Sequence, residues 1–232
     1  MDYKSLLRNL KGLVYPDLCM FCHTDIPMEG HPFCLRCTVY LPLTDHFDNA
    51  ENDVLKHLWG RIIVQHGAAL FYFDSNGRIK EMMHRLKYKG YRSIAIEIGK
   101  MAGRAHLKSN LFHTPDIIIP VPQHKSKHRT RGYNQSAIFG KAVSETINVP
   151  MREDLLIKSS TTPSQTKKSR IERVKNVLGT IEVTSPDELV DQHVLIVDDV
   201  ITTGATIESC VKAMEDIPGL KVSVLLMAIA RG

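Results

Sequence analysis

The run Val194-Leu195-Ile196-Val197-Asp198-Asp199-Val200-Ile201-Thr202-Thr203-Gly204-Ala205-Thr206-Ile207 constrains this chain more than any other stretch. Its four leading apolar residues fit a strand, spanning 194–198, that is buried on both faces of a parallel sheet. Two carboxylates follow where that strand ends, and a Thr/Gly turn then opens an apolar-periodic segment that reads as a helix over 205–216. Open α/β sheets bind ligands at strand ends. The N–H groups from Thr202 to Thr206 would face outward at a helix N-terminus, whose partial positive charge suits a phosphate. Asp198 and Asp199, the candidate catalytic residues, would then lie close enough to hydrogen-bond vicinal hydroxyls or to hold a hydrated Mg²⁺. A phosphate cradle of Thr202, Thr203, Gly204, Ala205 and Thr206 beside a diol-binding acid pair describes a ribose 5-phosphate site.

That stretch resembles the fingerprint of the type I phosphoribosyltransferases: a hydrophobic strand, two acids, a hydrophobic pair and a Thr/Gly-rich loop. Asp198, Asp199, Thr202, Thr203, Gly204 and Thr206 match it, while Ala205 stands where many members carry a second Gly. Ala retains the backbone N–H, so the cradle keeps its donors.

A chain of 232 residues accommodates one sizeable α/β core and a small appendage, and 43% hydrophobic with 24% charged residues is ordinary for a globular protein. No apolar run approaches the length of a membrane-spanning helix, and residues 1–11 lack the apolar centre of a signal peptide. A cytoplasmic protein without stable membrane insertion is the expectation. The formal charge of +5 is concentrated: residues 124–131 hold four Lys/Arg and no acid, and 167–175 hold five against Glu172 alone. Removing these two segments leaves a slightly acidic remainder, so the excess positive charge points to an anionic ligand, either a polyphosphate or a nucleic acid.

Cys19, Cys22, Cys34 and Cys37 form C-x2-C-x11-C-x2-C. Each C-x2-C turn can aim two thiolates at one ion, and two such turns close a tetrahedral Zn²⁺ shell. Paired disulfides are the competing arrangement, disfavoured in a polar segment without a secretory leader. His23 and His31 lie inside the loop as competing ligands. The fifth cysteine, Cys210, falls in the predicted helix and reads as a small core residue.

Along the chain, residues 3–14 form an amphipathic helix, suited to docking on its own protein more than on a membrane surface. The division expected is a helix and four-cysteine zinc knuckle over 1–40, a connector over 41–60 and a phosphoribosyltransferase-like domain over 61–232. Trp59 is expected to pack on that domain. Ile62–Val64 and Ala68–Phe73 suggest two short strands or a hairpin. Helices are predicted from Ser75 or Asn76 to Tyr88, over 92–108 and over 134–147, with strands at 116–122, 155–157, 177–183 and 222–230. Alternating strands and helices imply right-handed crossovers and a mostly parallel sheet with flanking helices, an α/β fold.

The order of Cys knuckle, Leu86-Lys87-Tyr88 tract, Pro120-Val121-Pro122 strand end, Arg131-Gly132-Tyr133-Asn134-Gln135, Gln165–Asn176 segment and Asp-Asp-Thr-Thr-Gly loop resembles the ComF family. Its members carry an N-terminal zinc knuckle on a phosphoribosyltransferase-like domain and are linked to natural transformation and DNA uptake. The resemblance implies binding of phosphoribosyl pyrophosphate (PRPP) with Mg²⁺. The loop after Pro122 would take the pyrophosphate through Arg129, Arg131 and Lys125, and residues 161–176 would act as a closing hood with Gln165, Arg170 and Arg173 reaching phosphate. No acceptor-recognising aromatic or lysine is expected at the sheet's C-terminal edge, because only Arg231-Gly232 follow the last strand. Three functions stay open: phosphoribosyl transfer to an unidentified acceptor, a non-catalytic single-stranded DNA-binding module in which PRPP is regulatory or vestigial, and a knuckle that only staples the N-terminus or contacts competence proteins. With only 6% aromatic residues, the chain has few platforms on which DNA bases could stack.

Overall fold

The computed structural model describes residues 18–29, 31–74, 77–123, 131–158 and 181–230. The N-terminal helix expected over 3–14, the caps Ser75 and Asn76, and the segment 159–180 lie outside the described residues. Four strands form one parallel sheet in the order β1 (Gly67–Phe73), β6 (Lys221–Ala230), β5 (His193–Ile201), β2 (Ile117–Pro120). The two middle strands are apolar almost throughout because helices cover both faces. On one face lie α3 (Arg78–Tyr88), α4 (Arg92–Lys108) and α5 (Gln135–Ile147). On the other lie α2 (Asp53–Leu58), α6 (Ala205–Lys212) and a two-stranded antiparallel ribbon of β3 (Leu156–Lys158) and β4 (Ile181–Val183).

The helices follow their apolar spacing. In α3 Ile79, Met82, Met83 and Leu86 are all buried, and Lys89 with Gly90 ends the helix. In α4 the buried face includes two glycines where α5 approaches closely. A Cβ on Gly99 would lie 2.6 Å from the Ala142 Cβ and 2.7 Å from the Phe139 carbonyl oxygen, so only glycine allows this approach.

Several expectations are corrected. Ile62 and Val64 belong to no strand, and Ile63 is 86% exposed; the hairpin reduces to β1 alone, because the apolar residues 62–64 precede a turn rather than a pairing partner. Trp59 is 85% exposed and does not pack on the domain. The neighbouring segment is instead integral to the sheet: Leu43 bridges antiparallel to Phe71, and Val54 and Leu58 of α2 are buried. Asn52 caps α2 and its amide donates to the carbonyls of His46, Asn49 and Gly67, so this buried polar side chain is fully used. β5 is longer than expected and carries both acids within the strand, since β6 continues to pair with it as far as Ile201. α6 ends at Lys212, short of 216, and β3 lies outside the main sheet.

The four cysteines near the N-terminus pack with α1 (Leu35–Val39) against α3. Phe21 and Phe33 meet edge to face and are buried in the same core as Ile79 and Met82. Cys210 is fully buried, as a core residue should be.

The α4–α5 contact yields a test. Gly99→Val should lower the free energy of unfolding by about 1–3 kcal/mol in a denaturant titration, because neither a helix carbonyl nor Ala142 can give way.

Candidate ribose-phosphate site and metal centre

β5 is flanked by β2 only through Val197, whereas β6 accompanies it to Ile201. Asp198 and Asp199 therefore emerge beyond the point where β2 stops, and the ends of two helices meet them there. The Ser136 hydroxyl, in the first turn of α5, donates to Asp198 Oδ1 at 2.7 Å, and the Asp199 N–H donates to the same oxygen at 2.8 Å. Lys87 Nζ, in the last turn of α3, lies 2.8 Å from Asp199 Oδ2. Burial pushes the Asp198 carboxyl up and the neighbouring Asp199 charge adds to that. The Ser136 and Asp199 donors and Lys87 oppose it, leaving Asp198 at about 7.

The Thr/Gly turn follows directly. Thr202, Thr203 and Thr206 are exposed and Gly204 is buried, with φ +74° as it opens α6. Behind it, Arg61 Nη1 donates to the Thr203 carbonyl at 2.9 Å and pairs with Glu208 at 3.2 Å, while its other amino group donates to the His57 carbonyl. The positive φ of Gly204 favours glycine, and a Cβ there would lie 2.8 Å from Arg61 Nη2 and displace that guanidinium. The turn presents its outer face to solvent at a helix N-terminus, which can accept an anion.

The Arg131–Gln135 motif shapes this corner. The Tyr133 hydroxyl donates to the Leu86 carbonyl, Asn134 caps α5 and donates to the Val121 carbonyl at 3.0 Å, and Gln135 is fully buried. These bonds tie the end of α3, the end of β2 and the start of α5 together, and so position Lys87 and Ser136. Arg131 stacks over Tyr88 at 5.1 Å and donates to its hydroxyl at 3.3 Å, one residue from Lys87. The other predicted basic and hood residues, Lys125, Arg129, Gln165, Arg170 and Arg173, lie outside the described residues. The sequence alone does not mark Lys87, Ser136 and Arg61 as site residues. Leu86-Lys87-Tyr88 is visible as a tract, but nothing local to it shows which strand its helix end meets.

In the knuckle, the Sγ atoms of Cys19, Cys22, Cys34 and Cys37 all lie within 4.8 Å of one another, with Cys22 and Cys34 at 3.9 Å. Tetrahedral thiolates at Zn–S distances of about 2.3 Å would be ~3.8 Å apart, so the donor set fits Zn²⁺. All five cysteines are free of disulfides. His23 and His31 are outside the cluster.

The phosphoribosyl transferase domain family matches residues 85–227, more than half of the chain. Competence protein F of Haemophilus influenzae is 28% identical over 219 residues, covering 92% of this chain and 90% of that protein. The DNA utilization protein YhgH of Escherichia coli K12 is 26% identical over 211 residues, covering 84% and 89%. The chain belongs to the ComF family. Among solved structures, adenine phosphoribosyltransferase from Thermoanaerobacter pseudethanolicus is 17% identical with TM-score 0.40, covering 62% of this chain and 82% of that one. In this ComF-family chain the family match spans the acid pair, the Thr/Gly turn and the motif around Tyr133, but neither the knuckle nor β1.

The acid pair predicts a pH signature. Asp198 is raised relative to an unfolded carboxyl near 3.9, so between about pH 4 and 7 the folded chain holds a proton that the unfolded chain has lost. Its contribution to stability therefore falls as pH rises through that window and levels off above it. Asp198→Asn should match the parent near pH 4 and exceed it by on the order of 1–3 kcal/mol at pH 8, measured by denaturant unfolding. Taking the difference between the two proteins cancels the buried His46 and His106 and the half-buried His193, which desolvation holds below the usual imidazole range.

Proposed function

We propose that this protein binds PRPP with Mg²⁺ at the end of β5 and acts in DNA uptake or handling, transferring the phosphoribosyl group to an acceptor. One observation carries the reading: an acid pair held by Ser136 and Lys87 is followed at once by an exposed Thr/Gly turn at a helix N-terminus. In this reading Thr202–Thr206 bind the 5-phosphate through backbone N–H groups and hydroxyls. Asp198 and Asp199 accept hydrogen bonds from the ribose 2- and 3-hydroxyls. Arg131, with Lys125 and Arg129, faces the pyrophosphate, and Gln165, Arg170 and Arg173 close over it. Two adjacent carboxylates, one of them raised by burial and by the other's charge, suit a cation. Asp198 and Asp199 would hold a hydrated Mg²⁺, which would supply charge neutralisation to the leaving pyrophosphate. Transfer breaks the bond from C1 to pyrophosphate, which departs with the electron pair, and forms a bond from C1 to the acceptor's lone pair. The protein's share is orientation and electrostatic stabilisation. Lys87 neutralises Asp199 while no ligand is bound and becomes available to an anionic group once the ribose hydroxyls occupy that carboxylate.

The names of the relatives, a competence protein and a DNA utilization protein, support the placing in DNA uptake. The knuckle binds structural Zn²⁺ in this reading and fastens the N-terminal segment to α3. Among the described residues no helix is long and apolar enough to cross a membrane.

Calorimetric titration of PRPP with Mg²⁺ into the purified protein should show saturable binding, and the Asp198→Asn/Asp199→Asn double variant should lose at least about tenfold in affinity while keeping its far-ultraviolet dichroism. Undiminished affinity in the double variant rules the ribose assignment out. Metal analysis should find zinc bound by the knuckle, and Cys34→Ser should release it and lower the melting temperature; unchanged zinc content would refute the four-thiolate site.

A further inference from the structure

The Thr/Gly turn is held from behind by a segment outside the stretch matched by the phosphoribosyl transferase domain family, residues 85–227. Arg61, shortly after the end of α2, reaches three acceptors that no local pattern brings together. Its Nη1 donates to the Thr203 carbonyl at 2.9 Å and to Glu208 Oε2 at 3.2 Å, and its Nη2 donates to the His57 carbonyl. The end of α2 completes this rear wall. A Cβ built on Gly204 would lie 3.2 Å from Leu58 Cδ2 and 3.4 Å from His57 Cδ2, and Leu58 is itself anchored in the core.

The grip on Thr203 fixes the orientation of the next peptide. A trans peptide unit is planar, with its C=O and N–H on opposite sides. The peptide joining Thr203 to Gly204 is trans, so drawing the Thr203 carbonyl back toward Arg61 turns the Gly204 N–H to the outer face. Gly204, at φ +74°, then leads into the first turn of α6, whose opening N–H groups have no partner within the helix. The charge behind the turn is positive on balance. Glu208 meets Arg61 through one oxygen and Lys212 Nζ through the other at 2.7 Å, so one carboxylate stands against two cations. The guanidinium also covers the His57 carbonyl, a partial negative charge in the last turn of α2.

We propose that Arg61 is a positioning residue of the phosphate turn, holding the Thr203 carbonyl rearward so that the backbone donors are oriented before the 5-phosphate arrives, and adding positive charge from behind. The inference rests on the ribose-phosphate reading of that turn and assigns its rear wall to α2 and Arg61. Arg61 does not touch the ligand in this role; it acts through Thr203 and Gly204. Arginine suits the task because its planar fork meets several fixed acceptors at once, whereas a lysine ammonium is a point charge on a flexible stem. Donors oriented in advance spare the ordering cost that binding would otherwise bear. α2, within the stretch expected to be a connector, then forms part of the site.

The test uses the full zinc-loaded chain, titrated by calorimetry with ribose 5-phosphate and, separately, with PRPP and Mg²⁺. Ribose 5-phosphate should bind the parent saturably. Arg61→Met should weaken it by about tenfold or more, and Arg61→Lys should recover part of that loss through its charge alone. Glu208→Gln gives a response of opposite sign: its amide oxygen still accepts from Arg61, the opposing charge is gone, and affinity should rise by about threefold at low salt and return to the parent's as salt screens the cations. A role confined to folding predicts no such gain. Unchanged affinity in Arg61→Met overturns the inference and leaves the PRPP reading standing. Should Arg61→Met not fold, parent-like affinity in both Arg61→Lys and Glu208→Gln overturns it instead. Binding of ribose 5-phosphate without PRPP, lost in Arg61→Met, upholds the role of Arg61 and overturns the PRPP reading alone. Binding of neither probe to the parent overturns both.

Discussion

Two adjacent carboxylates at the end of a buried strand must be compensated, and that requirement organises much of this molecule. Removing Asp198 from water beside Asp199 raises its pKa, a measure of the cost of charging it there. The cost is offset by the Ser136 hydroxyl, the Asp199 N–H and the Lys87 ammonium, each delivered by a different element. α3 must end, and α5 must begin, within reach of β5 just where β2 stops. The hydrogen bonds of Tyr133 and Asn134 secure that junction, with Gln135 buried next to them in sequence.

Helix α3 carries the consequence across the sheet. Its 11 residues span about 16 Å, close to the three strand spacings that separate β1 from β2. Arg78 at its start touches Phe21 and Cys37 of the knuckle, and Lys87 in its last turn touches Asp199. The cysteine cluster and the acid pair, far apart in sequence, are thus attached to opposite ends of one helix whose apolar face is wholly buried. Displacing α3 would disturb both.

Much of the fold was legible in the residues. The parallel strands announced themselves as apolar runs, and α3, α4 and α5 followed from apolar spacing to within three residues of their boundaries. The Cys spacing foretold the cluster, because two C-x2-C turns have few other arrangements that use all four thiols. Less legible were features set by partners distant in sequence. The extension of β5 through the acids depends on β6, and Trp59 and Ile63 are exposed because no element packs over them, which hydrophobicity alone does not reveal. For the site, the acid pair and the turn were local and could be named, whereas Lys87, Ser136 and Arg61 owe their places to helix ends and loops folded from elsewhere.

The sequence by itself determined the strand, the acid pair, the glycine-dependent turn and the thiol cluster, because each is encoded within a few neighbouring residues whose backbone preferences and spacing suffice. Only the tertiary structure decided which cation neutralises Asp199, which hydroxyl serves Asp198, and which arginine backs the Thr/Gly turn. Such contacts depend on strand order and on the crossing of α3, and no local pattern records how sheet and helix will be set against each other.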